Sequence, residues 1–179
     1  MKQEIKAFRS LVEAAHGDQK YGKQPYINHI DHVVQVAKRF GYCDDVNMIM
    51  GCLGHDLLED TNMNLKTLRT LVPEEVAMGI FNVTDEVRKE GEGRLENKER
   101  TFHNRTSKSQ FAIKIKMFDR IANIESCIAE NIPKLLLMYL KEHTFFESIL
   151  RAHEVEPNVW RYMGYLKETI IKHNMNVCK

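Results

Sequence analysis

A chain of 179 residues with 26 Lys and Arg against 25 Asp and Glu carries a formal net charge of +1, so its bulk electrostatics give no reason to bind nucleic acid or an anionic membrane. No apolar run reaches the roughly 18 to 20 residues of a membrane span, and MKQEIKAFRS lacks a signal peptide's apolar stretch. A soluble, cytoplasmic protein with one core is expected, and Cys43, Cys52, Cys127 and Cys178 lack the paired spacing of a zinc knuckle or a disulfide frame.

Nearly every periodic segment reads as helix. Residues 3–16 place Ile5, Phe8, Leu11, Val12 and Ala15 on one stripe. GDQKYGKQPY follows as a polar turn segment. Pro25 then leads into a helix over 27–40, with Ile30, Val33, Val34 and Ala37 inward and Gly41 after it. This second helix carries His29 and His32.

Asp44 or Asp45 caps a third helix, which runs through the apolar stretch from Met48 to Leu53 into His55, Asp56, Glu59, Asp60 and Thr61. If it continues unbroken, His55 stacks over Glu59 and Asp56 over Asp60, each pair four apart. Asn64 caps a short helix ending before Pro73, and PEEVAMGIFNVTDE forms another that fades near Thr84. Residues 85–108 are dominated by Glu, Lys, Arg, Gly and Asn without a core period, and read as a long mobile loop.

Ser107 with Gln110 makes a capping box for a helix that buries Phe111, Ile115, Phe118, Ile121 and Ile124. Asp119 and Asn123 sit four apart beside that stripe. Helices over about 133–151 and 157–172 complete the chain. The expected architecture is all-α: one domain over 1–179, a bundle of seven to eight helices.

Three acids within five residues repel one another unless a cation, a substrate or protons offset the charge. A solvated acidic helix end is the plain alternative. The apolar lead-in, however, carries His55 and Asp56 toward the interior, where ionisable groups are paired or bind metal. The ligand-type residues lying beside apolar stripes are His29, His55, Asp56 and Asp119. Two imidazoles and two carboxylates suit Mn²⁺, Fe²⁺, Zn²⁺ or Mg²⁺, with positions left for water and a phosphate. Spacing alone does not bring the four together, and His32 is a rival to His29.

The order His, His-Asp, Asp on separate helices resembles the HD superfamily of metal-dependent phosphohydrolases. More narrowly, PYINH, HDLLEDT, VTDE, the NKER run and KMFDRIANI look like the hydrolase domain of RelA/SpoT proteins and its small MESH-type alarmone-hydrolase relatives, over about 16–124. Residues 125–179 match only as a helical continuation.

The resemblance implies that His29, His55, Asp56 and Asp119 hold a divalent metal, usually Mn²⁺. It also implies that Glu59 and Asp60 position and activate water, that Asn123 contacts the sugar, and that the reaction removes the 3′-diphosphate of guanosine tetra- or pentaphosphate. Lys20 and Lys23, with Lys98 or Arg100, are the candidate partners for the remaining phosphate charge. One motif departs from the family. In HGDQKYGKQPY, Tyr21 stands about where the family has an arginine that stacks on guanine, and a tyrosine can also stack on a base.

The expectation is therefore a phosphohydrolase of a small-molecule nucleotide. Two alternatives stand beside it: the same chemistry on a nucleoside mono- or triphosphate, an adenine alarmone or the 2′-phosphate of NADPH, and a catalytically silent nucleotide-binding module. His16 divides evenly between a substrate-site residue and the polar end of the first helix, and Arg120 is read as pairing with an acid. His103, His143, His153 and His173 are read as surface, Cys52 as a core filler. A homo-oligomer is left open.

Overall fold

The computed structural model describes residues 2–177, without the side chains of residues 2 and 173–177. The His173 side chain and Cys178 therefore lie outside the described residues. Ten α-helical segments follow one another among them: α1 Lys2–His16, α2 Ile27–Arg39, α3 Val46–Gly54, α4 Leu57–Asp60, α5 Leu65–Leu71, α6 Glu74–Val83, α7 Arg94–Asn104, α8 Gln110–Ala129, α9 Pro133–Leu150 and α10 Pro157–Val177. The fold is all-α, and its only sheet among the described residues is a two-stranded hairpin, β1 Lys20–Tyr21 with β2 Gln24–Pro25.

The hairpin lies in the segment expected as turn. Tyr21 pairs with Gln24 across a two-residue loop, and Gly22 at φ +60° supplies the left-handed conformation that a tight hairpin turn requires. This turn fixes where Tyr21 stands.

Helix α8 is the axis of the molecule. Ala112, Ile113, Ile115, Met117, Phe118, Ile121 and Ala122 are all fully buried, so it is apolar nearly all round and packs against α2, α3, α6, α9 and α10. Its cap is Ser109, whose hydroxyl accepts from the Ala112 amide at 3.2 Å. The expected box at Ser107 is not formed, because that hydroxyl donates to the His103 carbonyl.

Two other expectations are corrected. The third helix is interrupted: α3 stops at Gly54 and α4 restarts after Asp56, which sits at φ −101°, ψ 0° in the sparsely populated bridge region. His55 and Glu59 therefore do not share one uninterrupted helical face. The supposed loop over 85–108 contains α7 and a 3-10 turn, Thr106–Lys108. Its register is carried by polar burial: Asn97 Nδ2 donates to the Glu86 carbonyl at 2.8 Å, and the Thr101 hydroxyl accepts from the Glu86 amide at 3.0 Å.

Candidate metal centre

Four elements deliver the site. Helix α2 buries His29, the break between α3 and α4 presents His55 and Asp56, α8 contributes Asp119 and Asn123, and the hairpin lays Tyr21 against them. His29, His55 and Asp119 each offer a ligand atom within 4.8 Å of the others. His29 Nε2 is 3.4 Å from Asp119 Oδ1 and 3.8 Å from Asp56 Oδ2. His55 Nε2 is 2.9 Å from Asp56 Oδ2 and 3.6 Å from Asp119 Oδ1.

The donor set fits a divalent cation. His55 Nδ1 lies 2.8 Å from the Cys52 carbonyl, an arrangement in which Nδ1 donates and Nε2 is the nitrogen turned inward. That Nε2 is buried facing Asp56 Oδ2 at 2.9 Å, with no well-aligned hydrogen bond among the described residues. Burial works against a charged His55, yet the Asp56 and Asp119 carboxylates outweigh it and raise the imidazole's pKa well above its ordinary value. Burial likewise works to raise both acids, but the imidazoles, and Lys116 for Asp119, hold them far below the usual carboxylate range. Two buried carboxylates are thus balanced by a proton, and a divalent ion offers the same compensation.

Around this centre lies a polar shell. The Tyr26 hydroxyl is within hydrogen-bond distance of both Asp56 Oδ2 (2.6 Å) and Asp60 Oδ2 (2.9 Å). Burial and these two acids raise its pKa, so it stays a donor. Glu59 Oε2 accepts from the Asp85 amide at 3.1 Å. Glu59 is open to solvent on one side, but desolvation by the neighbouring chain pushes its pKa up, and Asp85 adds to this against the pull of Lys116 and Lys98.

Asn123 donates to Asp119 Oδ1 at 2.5 Å and accepts from the Tyr21 hydroxyl at 2.7 Å. Tyr21 also stacks on the His29 ring, centroids 4.6 Å apart and planes 11° from parallel. One ring face and the hydroxyl of Tyr21 are therefore engaged inside the centre.

The expected phosphate partners divide. Lys20 and Lys23 stand exposed on the hairpin. Lys98 pairs with Asp85 at 2.7 Å and so lies at the edge of the Glu59 carboxyl. Arg100 is placed elsewhere: its guanidinium is bidentate on Glu92, also meets Glu86, and donates to the Val87 carbonyl. His32 is turned to Glu125 at 3.0 Å and Ser126 at 3.3 Å, away from the cluster. His16 stacks on Tyr26 and contacts Gln19. His143 is buried, against expectation, and desolvation drops its pKa to about 4.

Sequence reasoning missed Lys116. Its ammonium is buried 3.6 Å from Asp119 Oδ2 and 3.4 Å from the Val83 carbonyl, and although burial opposes its charge, Asp119, Glu59 and Asp85 raise its pKa. Its spacing, three residues before Asp119 and one turn away on the same helix, allows the pairing but does not show that the ammonium is buried.

A cleft of about 570 Å³ is lined by Phe8, Leu11, Met50 and Pro73 among others, and by none of the site residues. A cavity of about 130 Å³ beside Tyr21 and Tyr139 is well below the roughly 300–1,000 Å³ of ordinary ligand pockets.

No family model matches the chain. Over most of its length, however, the backbone superposes on a metazoan orthologue of SpoT, described as hydrolysing ppGpp and acting in starvation responses: TM-score 0.74, 18% identity, 96% of this chain and 95% of that one. At that identity the likeness is one of fold. A second neighbour in fold is lmo0812 from Listeria monocytogenes EGD-e, with TM-score 0.58 and 19% identity over 82% of this chain and 96% of that one. In sequence, 62 residues are 36% identical to the guanosine-3′,5′-bis(diphosphate) 3′-pyrophosphohydrolase MESH1 of Danio rerio. That match spans 35% of this chain and about a third, 34%, of the relative's length. No helix among the described residues is long and apolar enough to cross a membrane.

Proposed function

We propose that the chain is a metal-dependent phosphohydrolase of a phosphorylated nucleotide, and that it cleaves guanosine 3′,5′-bis(diphosphate) with water to GDP and pyrophosphate. The observation that carries this reading is the buried His29, His55 and Asp119 group, its ligand atoms within 4.8 Å of one another, with Asp56 2.9 Å from His55 Nε2. The relatives named above supply the substrate to try first.

In this reading His29, His55, Asp56 and Asp119 hold the ion, with Mn²⁺ first among Mn²⁺, Fe²⁺, Zn²⁺ and Mg²⁺. When bound, a divalent ion makes water a better nucleophile at neutral pH and draws charge from a phosphoryl group. Glu59, whose raised pKa suits a general base, takes the proton of the attacking water. Asp60 orients that water, itself held by the Tyr26 hydroxyl at 2.9 Å. The water oxygen bonds to the phosphorus attached at O3′, the bond from phosphorus to O3′ breaks, and O3′ leaves on the nucleoside with a proton taken from solvent. Lys116 fixes a positive charge behind Asp119, while Lys20, Lys23 and Lys98 are the lysines this reading assigns to the outer phosphates. This reading also gives Asn123 the contact with the sugar.

A second substrate reading has one observation in its favour. Tyr21, standing where the resemblance has a base-stacking arginine, already spends one ring face and its hydroxyl on His29 and Asn123. Guanine selectivity then needs another source, so a panel is required: guanosine tetra- and pentaphosphate, nucleoside mono- and triphosphates, an adenine alarmone and NADPH.

The test incubates purified protein with each nucleotide and Mn²⁺, then identifies the products. Pyrophosphate and GDP from guanosine tetraphosphate, abolished by EDTA and lowered at least about 100-fold by Asp56→Asn or His55→Ala, is the expected result. Unchanged turnover in both variants overturns the ligand assignment. No turnover of any nucleotide with any of the four ions overturns the enzymatic reading.

A further inference from the structure

A histidine that ligates a metal normally has its other ring nitrogen tied by an outer hydrogen bond, which sets the tautomer and the ring plane. His55 obeys this through the Cys52 carbonyl. His29 is different: among the described residues its buried Nδ1 has no hydrogen-bond partner, while Nε2 faces Asp119 and Asp56. Something else must keep this ring in plane.

The contact present is aromatic. The Tyr21 ring lies 4.6 Å from the His29 ring at 11° from parallel, and Tyr26 meets the same imidazole edge-on at 5.7 Å and 75°. Tyr21 also reaches the opposite side of the centre, since its hydroxyl donates to Asn123 Oδ1 and Asn123 Nδ2 donates to Asp119 Oδ1, the oxygen that faces both imidazoles. One hairpin side chain thus touches one ligand directly and a second through one amide. These two ligands stand on α2 and α8, 90 residues apart (119 − 29).

We infer that Tyr21 is a positioning residue of the metal centre, clamping His29 with its ring and Asp119 through Asn123, rather than a platform for a nucleobase. The clamp rests on the metal-centre reading above. Gly22 makes it feasible, because the left-handed turn at the hairpin tip delivers the ring over α2.

The experiment measures Mn²⁺ affinity by calorimetric titration, bound-Mn²⁺ spectra by electron paramagnetic resonance, and kcat and KM for the wild type, Tyr21→Phe, Tyr21→Leu and Asn123→Ala. Tyr21→Phe keeps the stack and loses the hydroxyl, so a fall of about threefold to tenfold in Mn²⁺ affinity is expected. Tyr21→Leu loses both and falls by about 10- to 100-fold, with a broadened spectrum and a lower kcat at near-constant KM. Adding Tyr21→Phe to Asn123→Ala changes affinity little further, as members of one chain of contacts should. Wild-type Mn²⁺ affinity in both tyrosine variants with a raised KM makes Tyr21 a base platform and overturns the clamp. A lower apo melting temperature with unaltered Mn²⁺ affinity makes it merely structural and also overturns it. A wild type that binds none of the four divalent ions sinks the metal-centre reading itself, which is a different failure.

Discussion

His55 owes its usefulness to where the backbone stops being helical. With Nδ1 on the Cys52 carbonyl and Nε2 toward two carboxylates, the ring keeps a proton to higher pH than an ordinary histidine, despite burial. Cation binding must expel that proton, so acid competes with the ion. Mn²⁺ affinity is therefore expected to climb with pH and to go on climbing above pH 6.5, where a free imidazole has already deprotonated. Calorimetry in two buffers of different ionisation enthalpy checks this, and a flat affinity from pH 6 to 8.5 contradicts it. At this scale, His29, His55, Asp56 and Asp119 stood out as candidates because each lies beside an apolar stripe, whereas Asn123 entered as a site residue only through the family resemblance. Lys116 was not, since a lysine between Ile115 and Met117 looks like solvated surface until the helix around it is known to be buried on nearly every side. Tyr26 was quoted within PYINH, but its double acid partnership depends on Asp56 and Asp60, 30 and 34 residues further on.

Elements with aliphatic stripes could be read directly, and α1, α2, α5, α6, α9 and α10 fall close to where periodicity puts them. Helix α7 could not. RLENKERTFHN buries Asn97, Thr101 and Phe102, so two of its three inward residues are polar and no hydrophobic period exists to detect. The break after Gly54 was equally hidden, because nothing local in GHDLL forbids a continuing helix. Close packing explains the glycines near it. A Cβ on Gly79 of α6 would stand 2.3 Å from Phe111 Cδ1, and one on Gly51 of α3 would stand 2.7 Å from Ile115 Cδ1, so both helices press on α8 at positions without a side chain. Gly79→Ala is expected to destabilise the fold by about 1–3 kcal/mol in chemical denaturation, in spite of alanine's better helix propensity. A more stable variant would show that Phe111 moves aside freely.

A charge cluster around the buried Glu142 and Arg120 ties α7, α8 and α9 together. Arg120, next in sequence to Asp119, meets Glu142 of α9 at 3.0 Å, and Arg94 of α7 reaches the same carboxylate. Arg120 also lies over the rings of Tyr139 and Phe146. Glu142→Ala leaves the buried Arg120 without its counter-ion and should cost about 3–5 kcal/mol of unfolding free energy. A loss below about 1 kcal/mol in a denaturant titration would mean that the arginines escape to solvent. The candidate ligands, by contrast, are scattered: 26 residues separate His29 from His55 (55 − 29) and 63 separate Asp56 from Asp119 (119 − 56). No fragment that ends before α8 contains a complete set, and neither half of the chain can assemble one alone. A bound cation would accordingly act as a seal on correct assembly, detectable only once the first and last of these helices have found each other.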